Sequence, residues 1–366
     1  MFDSSEDLSR RLVELHEQFR EAFPALCRVA VALYDADTDF LRTFIHSTHG
    51  PVPLRLYEAR LSEVPSLQIL AESGSTRVIP DLEALPESCS RHSSSLRGLN
   101  YRSSYTVPIR QGETFYGFLF FDSQEPGYFT TRVVAHLAVY AQLISLLVIS
   151  EMVPVRTLKG AIQAARVFSR HRDEETGEHL ERMSRYARLM ATRLAGERNL
   201  PDWYVEYLFR FAPLHDVGKI GIPDAILLKP GRLDPDELEI MRTHVTKGLE
   251  LIDGLISSFG LDAIPHVAML RNIVGCHHES LDGTGYPRGL KGDAIPLEAR
   301  ITAIADVFDA LTSRRPYKGP WSNADAAAFL REHAGTRFDP QAVEALLGQQ
   351  DEIEAIQHAF REDEVG

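Results

Sequence analysis

The spacing of apolar positions changes character once along this chain. Residues 6 to 22 repeat with a helical period. The spacing then becomes that of strands in five runs: CRVAVALYDA, FLRTFIHST, TRVIP, YRSSYTVPIRQG and TFYGFLFFDSQ. The last two are rich in aromatic and β-branched residues, and the RQGET between them predicts a hairpin turn. Thr130 or Thr131 opens a long helical pattern over residues 129 to 170, with Pro154 placed to interrupt it. From about residue 154 onward the period stays helical and strands are almost absent. The pattern therefore predicts two domains: residues 1–152, an α+β unit with an antiparallel sheet and helices, and residues 153–366, all-helical, joined by the long helix.

Several helix starts are legible in the second half. DPDELEIMRTHVTKG offers Asp234 as N-cap, Pro235 at the first helical position and Glu237 three residues after the cap. LPDWYVEYLFRFAPLHDVGK starts near Pro201 and runs toward His215. PLEARITAIADVFDALTS begins after Pro296 and carries Asp306 and Asp309 among apolar residues. His244 lies near an apolar stripe of Leu238, Met241, Val245 and Leu249, where a core histidine and a functional one are equally expected.

Composition narrows the function classes. A length of 366 residues fits two cores better than one. A net charge of -13 argues against a nucleic-acid binder, although local cations can reverse the potential in one cleft. The three cysteines, Cys27, Cys89 and Cys276, have no ligand spacing and suit a reducing cytoplasm; Cys276 reads as a small buried apolar residue. The N-terminus is polar, unlike a signal peptide. The most apolar stretch, LAVYAQLISLLVIS (residues 137–150), is shorter than the ~20 residues of a span and reads as a buried or dimer-forming helix.

Candidate chemistry lies in the helical half. His16, His46, His49, His92, His136, His266, His333 and His358 stand apart from any cluster and read as surface or capped core residues; His171 also reads as surface or structural. Glu175 and His179 are one helical turn apart, which suits either a shared cavity or a surface pair. LHDVGK sets His215 beside Asp216, with Lys219 behind, after a largely apolar run. The tandem His277 and His278 open CHHESLDGTGYP and project in different directions, so they suit two partners lying close together. Asp306 sits between Ala305 and Val307. Imidazole with carboxylate and no thiolate suits iron, manganese, zinc or nickel. Eight such groups exceed the needs of one ion, and Asp216 is the first candidate for a bridging carboxylate.

At these residues the sequence closely resembles the HD-GYP family of the HD phosphohydrolase superfamily. The likeness covers about residues 160 to 345, through HDVGKIGIPDAILLKPGRLDPDELEIMRTHVTKG and HHESLDGTGYPRGLKGDAIPLEARITAIADVFDALTSRRPYK. The resemblance implies an all-α domain that hydrolyses cyclic di-GMP with iron or manganese. It implies Glu175, His179, His215, Asp216, His244, His277, His278 and Asp306 as metal ligands, with Glu175 allowing a third ion. It also implies that Lys219 meets the scissile phosphate or nucleophile, that Tyr286 faces substrate, and that Arg315 and Lys318 contact phosphate. Leu281 stands where a tryptophan is frequent, and the segment 252–271 is long; both bear on how the cleft is covered.

The first half resembles a GAF domain less specifically. That resemblance implies a ligand sensor or a silent dimerising module, with no residue set that identifies a ligand. A homodimer through GAF and linker helices and a GGDEF-type partner at the Gly-Tyr-Pro loop are further expectations, with no DNA or membrane partner. A non-catalytic cyclic di-GMP receptor and a phosphodiesterase for another cyclic dinucleotide are the competing readings.

Overall fold

A computed structural model describes residues 8–49, 56–85, 96–168, 177–260, 266–313 and 319–361. Glu175, Arg315 and Lys318 lie outside the described residues, as do Cys89, His92 and His171. The chain divides into two compact units, Met1–Pro154 and Val155–Gly366.

The first unit opens with α1 (Leu8–Ala22), which buries Leu8, Leu12, His16 and Phe19. Six strands follow: β1 (Leu26–Asp35), β2 (Phe40–Thr48), β3 (Glu58–Arg60), β4 (Arg77–Ile79), β5 (Ser103–Gln111) and β6 (Thr114–Ser123); α2 (Pro65–Ser73) lies between β3 and β4. They form one antiparallel sheet in the order β3-β2-β1-β6-β5-β4. The β5–β6 pair is the hairpin expected around RQGET. The sheet centre is closed by Phe118, Leu119 and Phe121, all fully buried. Lone histidines behave as expected here: His16 is buried, with its ring nitrogens bonded to the Ser47 hydroxyl and the Leu26 carbonyl.

The long helix α3 spans Thr131–Phe168 and is continuous through Pro154, so the expected interruption does not occur. Its length agrees with the helical pattern expected over residues 129 to 170, but its apolar portion is longer than the stretch 137–150 suggested. The portion Thr131–Ala164 is long and apolar enough to cross a membrane by length and composition, with 28% of its most apolar window buried. Leu137, Ala141, Ile144 and Val148 form its buried stripe in the first unit, while Val139, Leu143, Leu146 and Val153 are exposed.

Among the described residues the second unit is helical apart from one isolated bridge, Ala334 to Phe338. Its helices are α4 (Gly177–Arg198), α5 (Asp202–Phe211), α6 (Asp224–Leu227), α7 (Pro235–Arg242), α8 (His244–Phe259), α9 (Val267–Cys276), α10 (Leu297–Thr312), α11 (Asn323–Glu332), α12 (Pro340–Leu347) and α13 (Gln350–Ala359). The Asp234 capping box forms as the sequence predicts: the Glu237 amide donates to Asp234 Oδ1, and the Asp234 amide donates to Glu237 Oε2, both at 2.9 Å. The expected apolar stripe is only partly buried. Val245 is fully enclosed, but α7 buries no residue and Leu238 is 42% exposed. Helix α4 is the spine of this unit; it buries Met183, Tyr186, Ala187, Met190, Ala191 and Leu194 along one face.

Candidate active site

Each histidine of the site is aimed by where its helix ends or turns. His179 lies in the first turn of α4. After α5 the chain tightens into a 3-10 turn, Ala212–Leu214, containing Pro213; a second, Val217–Gly221, follows. His215 and Asp216 occupy the bend between them. His244 is the first residue of α8, and His277 follows the last residue of α9. Asp306 projects from the middle of α10.

Close backbone contact brings the bend to α8. A Cβ on Gly218 would fall 1.8 Å from the His244 carbonyl oxygen and 2.4 Å from the Gly248 nitrogen. Only glycine permits that approach. It sets the His244 Nε2 3.0 Å from Asp216 Oδ1.

The seven described ligand candidates gather in two adjoining groups. Asp216, His244, His277 and His278 form one, and His179, His215 and Asp306 the other; within each group the donor atoms lie within 4.8 Å of one another. Asp216 faces both. Its Oδ1 is 3.0 Å from His244 Nε2 and 3.4 Å from His277 Nε2, while its Oδ2 is 3.3 Å from His215 Nε2 and 2.7 Å from Lys219 Nζ. Asp306 Oδ1 lies 3.7 Å from His179 Nε2 and 3.9 Å from His215 Nε2. The tandem histidines do not part company as their directions suggested. Both fall in the Asp216 group, with ring centroids 4.0 Å apart.

The tautomers are fixed from behind. Nδ1 of His215 donates to the Ala212 carbonyl, that of His244 to the Met241 carbonyl, and that of His277 to the carbonyls of Ile273 and Val274. The Nε2 lone pairs therefore face inward, the arrangement metal-binding imidazoles need. Asp216 Oδ1 and the Nε2 atoms of His244 and His277 are buried with no aligned hydrogen-bond partner. Buried polar atoms left so are costly unless something else satisfies them. Divalent ions fit this donor set of imidazoles and carboxylates.

Electrostatics agree. Burial raises the Asp216 carboxyl, but Lys219, His215 and His244 outweigh it and hold the group well below the usual carboxylate range. Burial lowers His277, and burial together with His277 lowers His278 further. Asp216 is thus favoured as carboxylate and His277 and His278 as neutral imidazoles, the forms that bind metal.

The loop after His278 closes one side. Gly283 has φ +82°, and a Cβ on Gly285 would meet the Ser280 nitrogen at 2.3 Å, so the chain doubles back tightly onto residues 278–280. The Tyr286 ring then stacks on His278 at 4.7 Å between centroids, with the Arg242 guanidinium 5.0 Å from its centre. Cys276 is buried as expected, and its Sγ accepts from Arg288.

Sequence reasoning missed three side chains. Glu279, only 5% exposed, accepts from the Arg288 amide at 2.8 Å and the Leu290 amide at 2.9 Å, and so fixes the loop that carries Tyr286. Asp309 and Arg182, both buried, stand behind His179. A signal for these two existed: Asp309 lies one turn after Asp306, and Arg182 one turn after His179, each on its ligand's own helix face. Burial raises the Asp309 carboxyl, but hydrogen bonds from His179 and Arg182 bring it below its ordinary value.

A GAF domain model matches residues 7–148, and an HD domain model matches residues 173–342. The chain joins a GAF domain to an HD domain. The match falls on the two units described above, and the HD domain contains both donor groups, a site able to hold divalent metal. A protein of Vibrio cholerae serotype O1 named probable cyclic di-GMP phosphodiesterase is 45% identical over 200 residues, 53% of this chain and 44% of its own length. The cyclic di-GMP phosphodiesterase response regulator RpfG of Xanthomonas campestris is 47% identical over 186 residues, 51% of this chain and 46% of its own. A 3'3'-cGAMP-specific phosphodiesterase 2 of Vibrio cholerae is 42% identical over 185 residues, 50% of this chain and 33% of its own. The chain therefore spans less than half the length of these curated relatives.

Proposed function

We propose that the HD domain is a metal-dependent phosphodiesterase that opens cyclic di-GMP to linear pGpG, with a second cut to GMP where the cleft readmits the product. The observation that carries this reading is Asp216, whose two oxygens face the two donor groups. Iron is the expected metal and manganese the alternative, with a third ion if Glu175 adds its carboxylate. Bound ions would acidify a water and neutralise charge on phosphoryl oxygens.

The chain's residues supply the rest. His179, His215 and Asp306 would hold one ion, and Asp216, His244, His277 and His278 another. Lys219, with its Nζ 2.7 Å from Asp216, brings a positive charge to the scissile phosphate. Tyr286 offers a ring face to a base. Arg315 forks onto non-bridging phosphate oxygens, and Lys318 acts as a point charge. The roles of Glu175, Arg315 and Lys318 rest on the sequence.

The relative named for 3'3'-cGAMP supports a second reading, another cyclic dinucleotide as substrate; Leu281 at the loop bears on base preference. A receptor that binds without turnover is the remaining alternative, and the gathering of all seven described ligands counts against it. The GAF domain regulates or dimerises. The exposed Val139, Leu143, Leu146 and Val153 on α3 repeat at steps of four, three and seven, the seam of a two-stranded coiled coil, and a second copy of the chain is the proposed occupant. A GGDEF-type protein is the proposed partner of the Tyr286 loop. We read α3 as packed by its Leu137–Val148 stripe rather than spanning a membrane, and the protein as cytoplasmic.

The test is anaerobic purification with ferrous iron, metal analysis, and chromatography of cyclic di-GMP against 3'3'-cGAMP. A fully loaded protein that binds cyclic di-GMP and leaves it intact would favour the receptor. Faster cleavage of 3'3'-cGAMP would move the substrate assignment.

A further inference from the structure

The histidines of the site are not held alike. Three of them rest Nδ1 on main-chain carbonyls, which accept a hydrogen bond but carry no net charge. His179 instead donates from Nδ1 to a carboxylate, Asp309 Oδ2, at 2.8 Å. Asp309 is fully buried 130 residues away in sequence. A carboxylate behind an imidazole fixes its ring plane and raises its basicity at the other nitrogen.

Asp309 is itself held. Arg182 donates from Nε to Asp309 Oδ1 at 2.7 Å and from Nη2 to Oδ2 at 3.0 Å, a two-pronged clamp that balances the buried charge. Arg182 also reaches two other segments. Nη2 also donates to the Ser313 hydroxyl at 2.8 Å, and Nη1 donates to the Phe360 carbonyl at 2.7 Å. Ser313 donates to Asp309 Oδ2 at 3.1 Å and directly precedes the stretch that carries Arg315 and Lys318. Phe360 closes α13.

We infer that Asp309 and Arg182 are a positioning pair that sets how tightly the His179, His215 and Asp306 group holds its ion, and that through Arg182 this grip depends on the end of α13. The inference rests on the reading that this group binds a divalent ion, and not on which nucleotide is cleaved. Asp309→Asn keeps the shape, but its amide side can only donate. With its oxygen in the Oδ2 place it still accepts from His179 and from Arg182 Nη2, but its amide group then faces Arg182 Nε, donor against donor, and the negative charge behind His179 is gone.

The test titrates Mn2+ into the metal-stripped full chain, counts bound ions, and measures affinity by competition with a chelator. His179→Ala identifies the ion belonging to this group. Asp309→Asn is expected to weaken that ion about 10–100-fold while leaving the Asp216 group's ion unchanged. Arg182→Lys, which keeps the charge and loses the fork, should shift the same ion in the same direction. Removal of residues 360–366 should do so less strongly. Melting of the stripped proteins by circular dichroism reports folding separately, and Arg182→Lys carries the test if Asp309→Asn fails to fold. A folded Asp309→Asn or Arg182→Lys that holds every ion with wild-type affinity overturns the inference. So does a wild-type ion count unaffected by His179→Ala. A protein that loses the ion as expected but never cleaves cyclic di-GMP leaves the positioning pair standing and removes only the substrate assignment.

Discussion

Gly218 has no side chain, and the site depends on that absence. In Gly218→Ala the new Cβ would lie 1.8 Å from the His244 carbonyl oxygen, 2.4 Å from the Gly248 nitrogen and 2.8 Å from the Gly248 Cα. All three atoms are backbone of α8, so no rotamer change relieves the overlap. Opening the tightest contact to 3.0 Å requires the bend or the helix to retreat by about 1.2 Å. His244 heads that helix and Asp216 precedes Gly218 by two residues, so the 3.0 Å approach of His244 to Asp216 widens with it. Overpacking of this kind costs about 3 kcal/mol at the upper end of its usual range. In a unit of this size that lowers the melting temperature by about 6–12 °C. Misplacing a ligand by about 1 Å should also cost roughly 100-fold in turnover. Gly221→Ala is the control from the same turn, because its Cβ would meet the far part of the Lys247 side chain at 2.9 Å, which can swing away. Melting by calorimetry and ion counting on both variants decide the matter. A Gly218→Ala protein that melts within about 2 °C of wild type and keeps its ions would refute the claim that this contact builds the site.

Other outcomes follow from the same geometry. Asp216→Ala should abolish hydrolysis and remove ions from both groups, since both face this carboxylate; loss of ions from one group alone, by metal analysis, would deny the bridge. Glu175→Ala should lower the metal content by about one ion if the site holds three, and an unchanged content removes the third ion. In the GAF domain, burial lowers His16 from 6.5 to about 4. The unfolded chain therefore binds the proton first, and stability rises with pH across that interval. Between pH 7 and pH 5 the loss should be about 2 kcal/mol. His16→Gln should flatten that limb of a melting-versus-pH curve, and an equally steep curve in the variant would exclude His16 as its source.

Much of the HD domain was legible because its chemistry is written in short segments. His215-Asp216 and His277-His278 are adjacent pairs, and Asp234 announces its helix by a capping box that the structure reproduces. The β5–β6 hairpin was equally plain from its alternation. What stayed hidden is information that exists only across the fold. A charged Arg182 in a helix reads as a solvated face until α10 supplies Asp309 from 127 residues away. Glu279 reads as one more acid beside two histidines until the loop folds back and gives it two amides. Pro154 reads as a break because it lacks an amide, yet the helix runs on through it, at the point where the chain passes from one unit to the other.

The tandem histidines show how the end of a helix brings neighbouring side chains into one group. Side chains at successive positions leave the backbone in different directions, which suited two partners lying close together. His277 caps α9 in helical conformation and His278 is already in the turn, so the two rings swing toward each other until their centroids are 4.0 Å apart. Tyr286 then closes over the outer ring, within the field of Asp216 and Lys219. The second donor group must therefore draw on elements far away in sequence, α4 and α10, and it does so with His179 and Asp306. The shared centre depends on the bend at residues 215–216: His215 serves one group, Asp216 Oδ1 serves the other, and the peptide between them sets their separation.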